Sequence, residues 1–146
     1  MRLLIQKVKQ ASITIDDQLY TSINKGLVVF IGISKDCNEK KVNYLVDKLL
    51  KFRIFKSAEK NFDLSVEEIK AEILIVSQFT LFAQTNNGRK PKFNSAMSPK
   101  EAEYYYNLFV EKIKEKSNLN IQTGKFQSMM EVSLINDGPI TLLLEK

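Results

Sequence analysis

The residues that could act on a ligand fall in two short segments. Ser77-Gln78-Phe79-Thr80 closes the apolar run Ile73-Leu74-Ile75-Val76, which reads as a buried strand. A buried strand that ends in three polar side chains around an aromatic leaves groups in need of partners. On one reading these hydroxyls, the amide and the backbone N–H groups line a pocket and bind a polar ligand or a developing oxyanion. On the other, Ser77 and Thr80 cap the strand by local hydrogen bonds, and pattern alone favours this second reading. The other segment is Asn136-Asp137-Gly138-Pro139. It reads first as a hairpin turn between two closing strands, 132–135 and 140–144. Yet Pro139 cannot donate to a sheet ladder, so it belongs where the backbone is unpaired. A Gly-Pro bond also adopts the cis form at modest cost, and a turn fixed that way presents its carbonyls in one direction.

What is missing narrows the chemistry further. The 146 residues include no histidine and one cysteine. Ser-His-Asp and Cys-His catalysis are therefore excluded, and so is a zinc site of the usual ligands. No acidic cluster, paired-carboxylate motif or phosphate-cradling glycine loop is visible, so neither a metal nor a cofactor is expected. Cys37 lies in Ser34-Lys35-Asp36-Cys37-Asn38, a polar stretch, and without an activating neighbour reads as an ordinary surface thiol. Gly88-Arg89-Lys90-Pro91-Lys92 could hold phosphates or simply be a solvated loop. Tyr104-Tyr105-Tyr106 could stack on bases, but on a helix one or two of them belong to the core or a subunit interface. Met129-Met130 reads as core filling. Lys and Arg number 22 against 17 Asp and Glu, a net charge of +5 that attracts polyanions without proving that one binds.

The elements that must position these residues follow from periodicity. Leu3, Ile5 and Val8, then Ile13 and Ile15, then Leu19 and Ile23 mark short strands, with Asp16-Asp17-Gln18 and Asn24-Lys25-Gly26 as turns. Leu27-Val28-Val29-Phe30-Ile31-Gly32-Ile33 reads as a central buried strand. Val42, Leu45, Val46, Leu49 and Leu50 recur at helical spacing behind an Asn38 N-cap. The stretch 56–70 is polar and loop-like, with Leu64 and Val66 in at most a short ordered piece. Ser98-Pro99-Lys100-Glu101 is a helix start with an N-cap, a first-turn proline and a capping-box Glu. That helix runs to about Ser117, with Ala102, Tyr105, Leu108, Phe109 and Ile113 on one face. Strands at both ends with two main helices between them predict an α+β fold, a single compact domain over 1–146 with mostly antiparallel β-sheet layers rather than a βαβ alternation. No apolar run approaches the ~18–20 residues that span a membrane, so a cytoplasmic location is the expectation.

Taken together the two segments resemble the paired signature motifs of the D-aminoacyl-tRNA deacylases, also called D-tyrosyl-tRNA deacylases. The likeness rests on Ser77-Gln78-Phe79-Thr80-Leu81 and Asn136-Asp137-Gly138-Pro139-Ile140-Thr141 and covers essentially the whole chain. Arg53-Ile54-Phe55, Gly88-Arg89, Glu101-Ala102-Glu103, Thr123-Gly124-Lys125-Phe126 and Val132-Ser133-Leu134 also fall where that family has similar residues. The resemblance implies a homodimer with its active site at the subunit interface and tRNA as partner. The Ser77–Thr80 segment would form the pocket floor of one subunit, and Gly138-Pro139, with a cis peptide, would be inserted from the other. Its carbonyls would meet the substrate amino group and leave no room for an L side chain, while glycine, including that mischarged on tRNA-Ala, would pass. It further implies catalysis assisted by the tRNA 2′-hydroxyl. The Phe79 N–H would be the oxyanion donor, Thr80 a positioning group, and Ala102, Phe126 and Met130 pocket-lining residues. Family members usually carry an Arg in the first strand that anchors the Gly-Pro segment; here Lys7 stands at that place, keeping the charge but not the planar fork. Two alternatives remain, a nucleic-acid-binding protein without catalysis and a conventional serine or threonine esterase.

Overall fold

In a computed structural model, which describes residues 1–86 and 88–146, the chain forms six strands and two α-helices among the described residues. These are β1 (Arg2–Ile15), β2 (Gln18–Ile23), β3 (Gly26–Gly32), α1 (Glu39–Lys51), β4 (Glu72–Ser77), α2 (Pro99–Lys116), β5 (Ile121–Thr123) and β6 (Glu131–Glu145). The long β1 organises them. It pairs antiparallel with β2 and β3 along one edge and with β6 along the other. Beyond β3 the sheet turns parallel, β3 against β4 and β4 against β5. The expectation of a sheet without βαβ units therefore holds around β1 and fails across the middle. There α1 and α2 provide the crossovers that parallel neighbours require.

The central strands are buried on both faces. Leu27, Val29, Ile31, Ile73 and Ile75 face the cluster built on α1 and α2, while Val28, Leu74 and Val76 face a smaller one with Val8, Ala11, Ile13 and Ile23. Asn38 caps α1 by accepting from the Lys41 N–H at 3.1 Å, and Val42, Leu45, Val46, Leu49 and Leu50 are its buried face. Each such side chain contributes on the order of 1.5–3 kcal/mol. In α2 the buried residues are Tyr106, Phe109, Val110 and Ile113, with Ala102, Tyr105 and Leu108 half-buried beside them. Ser98 departs from the capping box: its hydroxyl donates to the Glu101 carboxylate at 2.6 Å and makes no cap bond to the backbone. Leu64 pairs with Phe55 in an isolated bridge, and Val66 is fully buried, so the polar stretch carries more order than its composition implies.

Three expectations are corrected. Cys37 is not a surface thiol: it is 7 % exposed and packs in the main core, where burial pushes its pKa up. Met129 does not fill the core but stands 92 % exposed. Asn136-Asp137-Gly138-Pro139 is not a hairpin turn, because β6 runs through it as one strand, paired with β1 before and after.

Close approach of β3 to β4 demands Gly26, since a Cβ there would lie 1.9 Å from the Glu72 carbonyl oxygen. That neighbour is backbone in a parallel ladder and has nowhere to go. Gly26→Ala is expected to destabilise the fold by about 3 kcal/mol or more, the upper end for overpacking. Urea unfolding that finds a loss below about 1 kcal/mol would show the two strands separating freely.

Candidate active site

The end of β4 opens into a pocket. Gln78 N–H donates to Ile31 O at 2.7 Å, and the chain then turns into a short 3-10 helix, Phe79–Phe82. Three contacts fix that turn. Ala83 N–H donates to Thr80 O at 3.0 Å, Arg2 Nη1 donates to Leu81 O at 2.9 Å, and the Arg2 guanidinium sits 4.6 Å from the centroid of the Phe82 ring. Gly32 lets the turn lie close against β3, for a Cβ there would be 2.9 Å from Leu81 Cβ. Because Phe79 and Thr80 begin a helix, their backbone N–H groups lack intrahelical acceptors, and neither has a partner among the described residues. Thr80 is exposed, and its Oγ1 accepts from Gln78 Nε2 at 2.5 Å.

The cavity measures about 640 Å³. Six residues expected from the sequence line it together: Ser77, Gln78, Phe79, Ala102, Phe126 and Met130. Ala102 comes from the first turn of α2. Phe126 and Met130 come from the segment after β5, whose start is tied down by Gly124 N–H donating to Ile75 O at 2.8 Å. Phe126 packs on Tyr106 at 5.5 Å between centroids, and the Tyr106 hydroxyl donates to Ile75 O at 3.0 Å. Burial raises the Tyr106 pKa far above its ordinary value, so this phenol is a strut and not a proton source. Thr80 does not line the cavity, although its segment does. Phe93, Gln127 and Ser128 also line it, and sequence reading passed them over. Phe93 meets the exposed Phe79 edge-on at 5.0 Å, a contact that no spacing in the sequence announces.

Among the described residues none of the side chains that line it is ionisable. The pocket offers hydroxyls, amides and apolar surface, but no general base. Among the described residues no group of three His, Cys, Asp or Glu could hold a metal ion.

Lys7, Gly138 and Pro139 lie elsewhere. The β1–β6 register passes from Gln6↔Thr141 directly to Val8↔Asn136, so residues 137–140 bulge out opposite Lys7 alone. The Asn136 amide closes the neck of this bulge, Nδ2 donating to Lys7 O and to Ile140 O, each at 3.0 Å. Lys7 Nζ lies 3.2 Å from Asp137 Oδ2. The Gly138–Pro139 peptide bond is cis, and both residues are exposed. They line a second cleft of about 420 Å³ that shares no residue with the first. One chain therefore brings the pocket residues together and holds the Gly-Pro bulge apart from them. The basic loop is closed at its base by Gln84 N–H donating to Lys92 O at 2.7 Å, and Arg89 and Lys90 are exposed; Asn87 lies outside the described residues.

The family model described as "D-Tyr-tRNA(Tyr) deacylase" matches residues 4–145. The chain is 46% identical over 145 residues to a D-aminoacyl-tRNA deacylase of Aquifex aeolicus (strain VF5), covering 99% of this chain and 97% of the relative. It is 44% identical, with the same coverage, to one of Thermoanaerobacter sp. (strain X514). Among solved structures, one titled "c-Myc DNA Unwinding Element Binding Protein" superposes with a TM-score of 0.95 at 37% identity, covering 100% of this chain and 99% of that one. Another, titled as a probable eukaryotic D-amino acid tRNA deacylase, shares the fold with a TM-score of 0.85 at 21% identity, covering 98% and 97%. No helix among the described residues is long and apolar enough to cross a membrane.

Proposed function

The chain belongs to the D-Tyr-tRNA(Tyr) deacylase family, and on that premise we propose that it hydrolyses the ester between a D-amino acid and tRNA in the cytoplasm. The observation that carries the mechanism is a pocket with free backbone N–H donors at its rim and no ionisable side chain in its wall. Such a site can place an ester and stabilise the charge that develops on its carbonyl oxygen. It cannot itself take a proton from water. The substrate supplies that help: the 2′-hydroxyl beside the ester assists attack by water on the carbonyl carbon. The Phe79 N–H, with that of Thr80 beside it, receives the oxyanion, and collapse of the intermediate releases the ribose oxygen, which takes up a proton.

The active unit is a homodimer in which the Gly138-Pro139 bulge of one copy closes the pocket of the other. The separation of bulge and pocket within one chain supports this reading, as does the place of the bulge on β6, whose second edge is unpaired among the described residues. An L side chain would point into the bulge and be shut out. Glycine, with no side chain, would pass, so glycyl-tRNA mischarged on tRNA-Ala is a second substrate. Basic residues of the loop 84–92 would meet the tRNA phosphates.

Release of tyrosine from D-tyrosyl-tRNA and L-tyrosyl-tRNA, measured side by side at catalytic enzyme concentration, tests the whole. Rapid cleavage of the D ester with the L ester untouched is expected. Cleavage of neither, with tRNA still bound, would leave a non-catalytic nucleic-acid-binding protein.

A further inference from the structure

We infer that the cleft beside the Gly-Pro bulge is a second nucleic-acid contact, in which Lys25 and Lys56 hold backbone phosphates of the tRNA and Phe62 stacks on a base; the identity of this RNA rests on the deacylase reading. Three separate parts of the chain converge there: the β2–β3 turn with Lys25, the segment after α1 with Lys56, Asn61 and Phe62, and the β6 bulge. Its lining carries Lys7, Lys25 and Lys56 against the single carboxylate of Asp137. Lys7 is the lysine that Asp137 neutralises. Among the described residues neither Lys25 nor Lys56 has a carboxylate oxygen within the 4.0 Å of an ion pair. Glu72, across the strand pair from the Lys25 turn, directs its carboxylate at Asn24, accepting from the backbone N–H at 3.0 Å and from Nδ2 at 3.3 Å, and makes no ion pair with Lys25. The cleft thus carries two exposed lysines that have no ion-pair partner among the described residues, a place that an anion can share.

Phe62 adds the second half of the chemistry. It is 57 % exposed, and its φ of 57° lies in the left-handed region that a bulky side chain rarely adopts. A strained, solvent-facing aromatic next to two free lysines matches a nucleotide, which has a flat base and a charged phosphate, better than a bare anion. The volume of about 420 Å³ accommodates one nucleotide unit. Location selects RNA over a free nucleotide. The bulge that forms one wall of this cleft is the one that would close the pocket of a second copy. On the dimer reading, a tRNA end held in that pocket would lie beside this wall.

The test is fluorescence anisotropy of uncharged tRNA against salt, for the unaltered protein, Lys25→Glu/Lys56→Glu and Phe62→Ala, with thermal unfolding to confirm that each folds. The charge-neutral pair Lys25→Gln/Lys56→Gln stands in if the Glu pair does not fold. Losing two phosphate contacts should lower the slope of log K against log salt by about 1–2 units. Phe62→Ala should weaken binding by about tenfold, within the range for one stacked base. KM for D-aminoacyl-tRNA should rise in parallel. Unchanged affinity, slope and KM in a protein that does cleave the D ester would overturn the cleft and leave the deacylase reading intact. Lysine-dependent tRNA binding without ester cleavage would do the reverse. Displacement of tRNA by submillimolar adenosine monophosphate or inorganic phosphate would overturn the RNA assignment in favour of a small-anion site.

Discussion

Replacing the terminal ribose 2′-hydroxyl of D-tyrosyl-tRNA with hydrogen is expected to slow single-turnover hydrolysis by roughly 10²–10⁴-fold, the contribution of a positioned acid–base group. The expectation follows from the pocket wall. Ser77, Gln78, Phe79, Ala102, Phe126 and Met130 line the pocket, and none of them carries an ionisable side chain. Thr80 is the one hydroxyl that invites a nucleophile assignment, but it is exposed and already accepts from Gln78. Among the described residues its side-chain partner is a neutral amide, which cannot remove its proton, and an unactivated hydroxyl is a weak nucleophile. Thr80→Val should therefore cost less than the deoxy substrate does, about tenfold or below, through a loosened turn. The contrast between the two experiments is the test. If the deoxy ester is cleaved within a few-fold of the normal one while Thr80→Val abolishes turnover, Thr80 is the nucleophile and the pocket must recruit a base from outside its own wall.

Much of the fold was legible because local signals agreed. Asn38 caps its helix as its side chain predicts, and Val42, Leu45, Val46, Leu49 and Leu50 face the core at the spacing that their positions dictate. The central strands were also visible as unbroken apolar runs. Such runs permit parallel pairing without selecting it, because the order of strands in a sheet is a long-range property. Chain order alone placed strands at both ends and suggested an antiparallel arrangement. Cys37 shows the limit of local polarity. Its neighbours are hydrophilic, yet the segment folds back so that this one side chain meets the core.

The site was legible as residue types and illegible as geometry. Ser77 to Phe79 line a pocket, as the functional reading of that segment expects. The bulge has the sequence of a hairpin for a specific reason. Asn, Asp, Gly and Pro are turn formers whether the flanking strands pair with each other or both with a third strand, and here both pair with β1. Arg2 and Gly32, which hold the 3-10 turn in place, carry no local mark of that role; their partners Leu81 and Phe82 are about fifty to eighty positions away in sequence.

The bulge also sets the second large expectation. Its neck depends on the Asn136 amide, which bridges Lys7 O and Ile140 O, while Lys7 and Asp137 tie its tip. Two hydrogen bonds at about 0.5–1.5 kcal/mol each hold the loop in one shape. Removing both in Asn136→Ala should shift 1–3 kcal/mol toward open forms. At about 1.4 kcal/mol per factor of ten, that raises L-tyrosyl-tRNA cleavage roughly 5–150-fold. The D ester should lose less, since its side chain would point away from the bulge and only its amino group would meet it. Lys7→Arg works in the opposite sense: a guanidinium grips the Asp137 carboxylate through two parallel bonds where an ammonium makes one. L cleavage should then show no rise over the background left by the unaltered protein. Asymmetry between the two enantiomers is what separates a discriminating wall from a structural one. If Asn136→Ala lowers D and L cleavage by the same factor, the bulge merely supports the fold, and chirality must be read by the pocket lining itself.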